Sequence, residues 1–297
     1  MDREDKTILV YGATGNQGGA TARRLLADGW RVRALTRSAA SEAAAALAAA
    51  GAEIVTGDMD DRASLKAATA GVHGVFSVQP TLGSVGTSPD FTVGDETRWG
   101  CNVADAAADA GVTHFIYTSL GGAERNTGVA NIESKWEIEQ HIAKLGLPAT
   151  VLRPVSFMEM CASPFFLRNG ALTLAIEPDV PWQLLAVHDV GVFAGLAFAE
   201  PEVYLGLDLE LAGDSLTPPQ LAAAMQRATG RPVPYVQLPI AAIRQFSEDA
   251  AKCFEWLNAE GYQADIPALR AIYPDLLGFD AWLAGGGTKR IEAALTD

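Results

Sequence analysis

The run Val10-Tyr11-Gly12-Ala13-Thr14-Gly15-Asn16-Gln17-Gly18-Gly19 constrains this chain more than any other. It follows Thr7-Ile8-Leu9-Val10, a β-branched run suited to a buried strand, and leads into a helical pattern from Gly19 to Asp28 with Ala20, Leu25 and Leu26 on the packed face. A strand, a glycine turn and a helix in that order make a dinucleotide clamp. Gly12 permits the sharp exit from the strand, Gly15 lets backbone approach a pyrophosphate, and Gly18 or Gly19 lets the helix pack closely on the sheet. The free N–H groups at the helix start, helped by the helix dipole, would face the phosphates, with Thr14, Asn16 and Gln17 on the same turn.

After this turn, strand-like and helix-like segments alternate. Strands are expected at Arg31 to Leu35, Glu53 to Thr56, Gly74 to Val78, His114 to Thr118 and Ala149 to Leu152. Helices are expected from Ser38 to Ala50, from near Asp61, from Thr92 to Ala110 and from Ile132 to Leu145. This alternation predicts an α/β fold: a Rossmann-type, doubly wound parallel sheet with helices on both faces and ligands beyond the carboxyl ends of the strands. Beyond Pro154 the alternation fails and shorter mixed elements follow. The expected division is a dinucleotide-binding domain over residues 1–153 and a smaller mixed α/β substrate or lid lobe over 154–297, some of whose segments return to the main sheet. The stretch from Gln79 to Asp90, rich in Gly, Ser, Thr and Pro, reads as a lid on the ligand side.

Composition narrows the partners. A formal net charge of −14 in 297 residues argues against non-specific nucleic-acid binding, so an anionic cofactor needs local cations. The three cysteines, Cys101, Cys161 and Cys253, form no Cys-x-x-Cys pair and read as free thiols. His73, His114, His141 and His188 show no metal-ligand spacing, so no metal is expected. The charged start and the absence of a long apolar stretch predict a cytoplasmic chain with no membrane partner.

The end of the second strand, Leu35-Thr36-Arg37-Ser38, lacks the acidic side chain that an NAD enzyme uses for the adenosine ribose. Arg37 offers instead a fork of donors suited to a 2′-phosphate, which favours NADP; the competing reading is a solvated loop charge. In Gly57-Asp58-Met59, Asp58 either bonds the adenine or closes a turn, and Met59 would cover the ring. Asp60 or Asp61 reads as a helix N-cap. Gln79 and Pro80, at the end of the fourth strand, lie where the middle of the cofactor would run.

Asn131 and Lys135, in Asn131-Ile132-Glu133-Ser134-Lys135-Trp136-Glu137-Ile138-Glu139, share one helical face. Together with the glycine turn, Thr36-Arg37, Gly57-Asp58 and Leu152-Arg153-Pro154-Val155-Ser156-Phe157-Met158-Glu159, this segment resembles the NmrA-like branch of the atypical short-chain dehydrogenases/reductases. The resemblance implies NADP (NADPH) as cofactor, Lys135 on the nicotinamide ribose, and Pro154, Val155, Ser156 and Phe157 lining the nicotinamide pocket. Arg98 is a weaker candidate for a second cation, and the alternative for Lys135 is a surface lysine paired with Glu139. Typical members of the superfamily carry Tyr-x-x-x-Lys, whose phenol is the general acid, whereas this chain carries Asn131. An amide cannot supply that proton. Asn131 is open to two readings, a substrate contact or a helix N-cap. Tyr117 reads as packing, and Ser119 sits nearer the ligand edge but is a poor acid unaided.

Two functions are therefore expected. One is an NADPH-dependent reductase passing hydride to a small acceptor such as a quinone, an imine or cationic dye, or an activated alkene, with Lys135, Asn131 and Ser119 at the reacting end. The other is an NADP-binding redox sensor without turnover, which would have a protein partner. A homo-oligomer is compatible with either.

Overall fold

The computed structural model describes residues 3–82 and 87–296. Six strands alternate with helices: β1 (Thr7–Val10), α1 (Asn16–Ala27), β2 (Arg31–Thr36), α2 (Glu42–Ala49), β3 (Glu53–Thr56), α3 (Arg62–Thr69), β4 (Gly74–Ser77), α4 (Val93–Ala110), β5 (His114–Thr118), α5 (Ala130–Leu145) and β6 (Ala149–Pro154). Seven more short strands follow: β7 (Ser156–Phe157), β8 (Leu167–Arg168), β9 (Ala171–Leu174), β10 (Trp182–Leu185), β11 (Asp208–Leu211), β12 (Asp214–Leu216) and β13 (Tyr235–Gln237). Helix α6 spans Val187–Ala199.

The large sheet has the order β11-β6-β5-β4-β1-β2-β3. All the neighbours from β3 to β6 pair in parallel. Val151 of β6 and Val155, just past its end, donate to the carbonyls of Leu207 and Leu211, so the register with β11 advances in the same direction and that pair is parallel too. The order reverses beside β1, which has β2 on one side and β4 on the other. That is the topological switch point of a Rossmann-type sheet, where ligands bind past the strand ends. Strands covered on both faces read as unbroken apolar runs, and β1 and β5 bury Ile8, Leu9, Val10, Phe115, Ile116 and Tyr117 completely.

Helix starts follow their caps rather than the apolar pattern. Helix α1 begins at Asn16, with Gly15 as its N-cap, and not at Gly19, so Gly18 also lies inside the helix. Helix α2 begins at Glu42, because Ser41 accepts from Ala44 N–H, and not at Ser38. Asp61 caps α3, and Thr92 forms a reciprocal capping box with Asp95 at the start of α4. Gly111, at φ +62°, ends α4 in the left-handed conformation that only glycine adopts freely. Helix α5 starts at Ala130, two residues ahead of the expected Ile132.

The described residues form two compact units. One gathers 3–123, 130–153 and 188–209; the other gathers 124–129, 154–187 and 210–296. The second unit contains two three-stranded sheets, β12-β10-β7 and β13-β9-β8. Trp182, Leu184, Leu185, Phe279 and Trp282 are buried there. Within the expected lid from Gln79 to Asp90, residues 83–86 lie outside the described residues. No helix among the described residues is long and apolar enough to cross a membrane.

Candidate functional site

At the end of β1 the chain turns at Gly12, with φ +63°. A Cβ there would stand 2.6 Å from Val78 Cγ1, so the position requires glycine twice over, for its conformation and for space. Gly15 N–H donates to the Gly12 carbonyl at 2.9 Å and closes the turn. A Cβ on Gly18 would fall 2.3 Å from that same carbonyl oxygen, so α1 rests directly on the turn. Gly15 has no side chain to cap α1, and Thr14, Gly15 and Asn16 are exposed. The first N–H groups of α1 thus have no side-chain cap at the positive end of a helix dipole, a suitable arrangement for phosphate. Gln17 ties this turn to the end of β5, its Oε1 accepting from Thr118 Oγ1 at 3.0 Å.

Beside β1, three arginines of β2 and its exit divide in role. Arg33 is committed to Glu53 at 2.9 Å and to the carbonyls of Ala68 and Ala70, and Arg31 lies 3.9 Å from Asp5. Arg37 is exposed at the strand end, next to Thr36, whose hydroxyl accepts from Ser38 N–H. Asp58 is engaged as a turn residue, accepting from Asp60 N–H at 2.9 Å. Met59 is buried in the core cluster with Leu35 and Leu65. Arg98 is held by two bonds to Asp60, at 2.8 and 3.0 Å, and by Asp95 at 2.7 Å, so its charge is neutralised on its own surface.

Past β4, Gln79 is buried; its Nε2 donates to Ser77 Oγ at 3.0 Å while its Oε1 has no partner. Pro80 follows it, half-buried. Ser119 is buried just after β5 and its N–H donates to the Leu152 carbonyl at 2.7 Å. Tyr117 is wholly enclosed, its hydroxyl without a partner, and burial holds the phenol well above its ordinary pKa. It belongs to the core cluster, as its place in the strand requires.

Asn131 is the second residue of α5 and not its N-cap, and its Oδ1 is buried without a partner. Lys135, one turn further on, is only 3% exposed, and its Nζ donates to Glu96 Oε1 of α4. Ser134 Oγ donates to the other Glu96 oxygen at 3.2 Å. Burial pushes the Lys135 ammonium down to about 7. Glu139, the partner of Lys135 in the alternative reading, instead accepts from Arg153 at 3.1 and 2.6 Å, and Arg153 also reaches Asp208 at 3.0 Å. The lysine faces the neighbouring helix, not its own surface.

In the second unit, Val155 is fully buried and Ser156 shares a hydrogen bond of 3.1 Å with the Tyr262 hydroxyl. Ser156 and Phe157 pair with Leu184 and Leu185 of β10. Pro154 closes β6. No group of three or more His, Cys, Asp or Glu side chains among the described residues could hold a metal ion.

The model of the NmrA-like family matches residues 4–283. The chain belongs to the NmrA-like family. Among NmrA-like relatives, the oxidoreductase notA of Aspergillus sp. is 33% identical over 261 residues, 78% of this chain and 75% of its own. The (4-alkanoyl-5-oxo-2,5-dihydrofuran-3-yl)methyl phosphate reductase of Streptomyces griseus is 32% identical over 240 residues, 80% and 79% of the two chains. Among solved structures, the negative transcriptional regulator NmrA in complex with NAD superposes with a TM-score of 0.80 at 24% identity, covering 97% of each chain. The NADPH-dependent quinone oxidoreductase QOR2 of Escherichia coli, complexed with NADPH, superposes with a TM-score of 0.77 at 25% identity, covering 94% of this chain and 99% of its own.

For this NmrA-like chain, sequence reasoning missed Glu96. The signal was present: Glu96, Gly100, Val103 and Ala107 fall at i, i+4, i+7 and i+11 of α4, so a carboxylate occupies the buried stripe of an amphipathic helix.

Proposed function

We propose that this protein is an NADPH-dependent reductase acting on small conjugated acceptors, such as quinones, iminium-like dyes and alkenes activated by a carbonyl. The observation that carries the reading is Asn131, an amide with a buried, unpartnered Oδ1, standing one turn before a buried lysine. The residues present fit the cofactor: α1 opens without a side-chain cap, and the Oε1 of Gln79 and Oδ1 of Asn131 are acceptors left for a ligand. In this reading Gly12, Thr14, Gly15, Asn16, Gln17 and Gly18 cradle the pyrophosphate, and Arg37 takes the 2′-phosphate with its planar fork of donors. Asp58, Met59, Gln79 and Pro80 flank the adenosine and the middle of the dinucleotide, and Lys135 holds the nicotinamide ribose.

When bound, NADPH supplies the hydride. The protein supplies orientation and excludes water. A ketone reduced to an alkoxide needs an acid at hand, and neither Asn131 nor a serine such as Ser119 provides one. A quinone or an activated alkene accepts hydride to leave a delocalised anion, which water can protonate. The relative from Streptomyces griseus supports this class, since a 4-alkanoyl-5-oxo-2,5-dihydrofuran is an alkene conjugated with carbonyls. The lack of a phenol at Asn131 also favours a second reading, a cofactor-sensing regulator that binds without turnover, and the similarity to a transcriptional regulator agrees with it.

Fluorescence titration with NADPH and NADH, followed by turnover against quinones, enones, imines, cationic dyes and simple ketones, separates the two. The expected result is preference for NADPH, reduced by roughly tenfold or more in Arg37→Ala, and turnover of conjugated acceptors only. Tight NADPH binding with no turnover of any acceptor establishes the sensor. Rapid reduction of simple ketones that disappears in Asn131→Ala overturns the argument from the missing acid.

A further inference from the structure

Glu96 has no part in the functional reading so far, yet its side chain is wholly buried and both its oxygens are committed, one to Lys135 Nζ and one to Ser134 Oγ. It lies in the first turn of α4, where the helix dipole favours a negative charge, and Lys135 lies in the second turn of α5. These helices follow β4 and β5 of a parallel sheet, so both begin at the carboxyl edge of the strands. That edge is where Thr118 meets Gln17 of the glycine turn. The ion pair therefore stands on the ligand side of the sheet.

Stability does not account for it. Two buried ions lose their hydration, and apolar side chains of similar volume commonly serve the fold as well or better. What the pair does supply is order. A lysine stem has four rotatable bonds and a point charge at its end, and a ligand that met it free would have to immobilise it on binding. Burial also presses the ammonium to release its proton, bringing it down to about 7. A carboxylate held from a second side by Ser134 fixes the stem and opposes the loss of the proton.

The geometry points to Glu96 as the positioning residue of Lys135, fixing Nζ as a charged donor for the ribose hydroxyls at the nicotinamide end of the dinucleotide. This rests on the assignment of Lys135 to that ribose, and a mutant cycle keeps the two apart. NADPH dissociation constants from fluorescence titration, kcat and KM for NADPH and acceptor, and Tm are measured for Glu96→Gln, Lys135→Met, the double variant, and Ser134→Ala. Lys135→Met is expected to weaken NADPH binding about tenfold. Glu96→Gln should match it, with the KM for the acceptor unchanged, and the double variant should be no weaker than Lys135→Met alone. Ser134→Ala, which leaves the ion pair in place, should show a smaller loss in the same constant.

An unchanged NADPH constant in Glu96→Gln, with only Tm lowered, makes the pair a structural tie and overturns the proposal. Losses that multiply in the double variant overturn it as well, since Glu96 would then act independently of Lys135. An unchanged constant in Lys135→Met removes the ribose assignment itself, and the role of Glu96 with it. If Glu96→Gln does not fold, Ser134→Ala decides by the same constant.

Discussion

At the scale of single residues, the tautomer of His114 can be read from its neighbours. The Thr150 hydroxyl donates its one hydrogen to the Tyr204 carbonyl at 2.7 Å, so the 2.8 Å bond between His114 Nε2 and Thr150 Oγ1 must be donated by the ring. Nδ1 is then the unprotonated nitrogen, and it is buried with no partner. A second proton would have to go there, without an acceptor and out of water, and burial accordingly pushes the imidazole down to about 4. The unfolded chain takes that proton near the usual value of about 6.5. Between these values the unfolded state binds more protons, so stability is lost as pH falls through about 6.5 toward 4 and is level above about 7. Urea denaturation at pH 7.5 and pH 5 should show a drop of about 1–3 kcal/mol in the wild type. His114→Gln should flatten that slope, and an equal slope in both proteins would refute the account.

At the scale of elements, the seat of α1 on the glycine turn makes a sharp demand. A methyl group on Gly18 meets backbone, the Gly12 oxygen at 2.3 Å and its carbon at 2.5 Å, and backbone cannot rotate aside. Gly18→Ala should therefore cost about 1–3 kcal/mol, lift α1 from β1 and weaken NADPH binding. Gly94→Ala is the control. Its Cβ would meet only Thr92 Oγ1 at 3.6 Å, at an exposed position in the first turn of α4, and helix propensity there predicts no loss or a gain of roughly 0.5–1 kcal/mol. Chemical denaturation measures both.

The same element shows what was legible. Its strand, turn and helix types followed from spacing, because Gly12, Gly15 and Gly18 answer local steric needs that a sequence displays. The partner of Lys135 was not legible. The i, i+4 rule sees one helical surface and offered Glu139, whereas α5 turns that lysine toward α4, and Glu139 belongs to Arg153, which also lies over the Trp136 ring at 5.9 Å. Packing between helices, not periodicity within one, decided the partner of Lys135.

At the scale of the molecule, a chain of net charge −14 must collect its attraction for the proposed polyanionic cofactor locally. Most of the arginines around the switch point are spent on carboxylates, including Arg33, Arg62 and Arg98, which leaves backbone amides with a large share of that work. The stretch from β1 to β6 could be read from sequence because its strands stand out as apolar runs and its helices are long enough to show their period. In the second, strands of two residues such as Ser156–Phe157 and Leu167–Arg168 are too short to carry one, and they form only by pairing with β10 and β9.

The uncapped opening of α1 at Gly15 has a last consequence, for how long the protein survives. A helix whose first amides are completed by a ligand is folded in part by that ligand, and cofactor at one hundred times its dissociation constant adds about 2.7 kcal/mol to the folded state. Thermal unfolding with increasing NADPH should rise steadily in Tm, and a flat response would dismiss the idea. In a living cell the abundance of this protein should then follow the supply of the dinucleotide, with depletion exposing it to proteolysis.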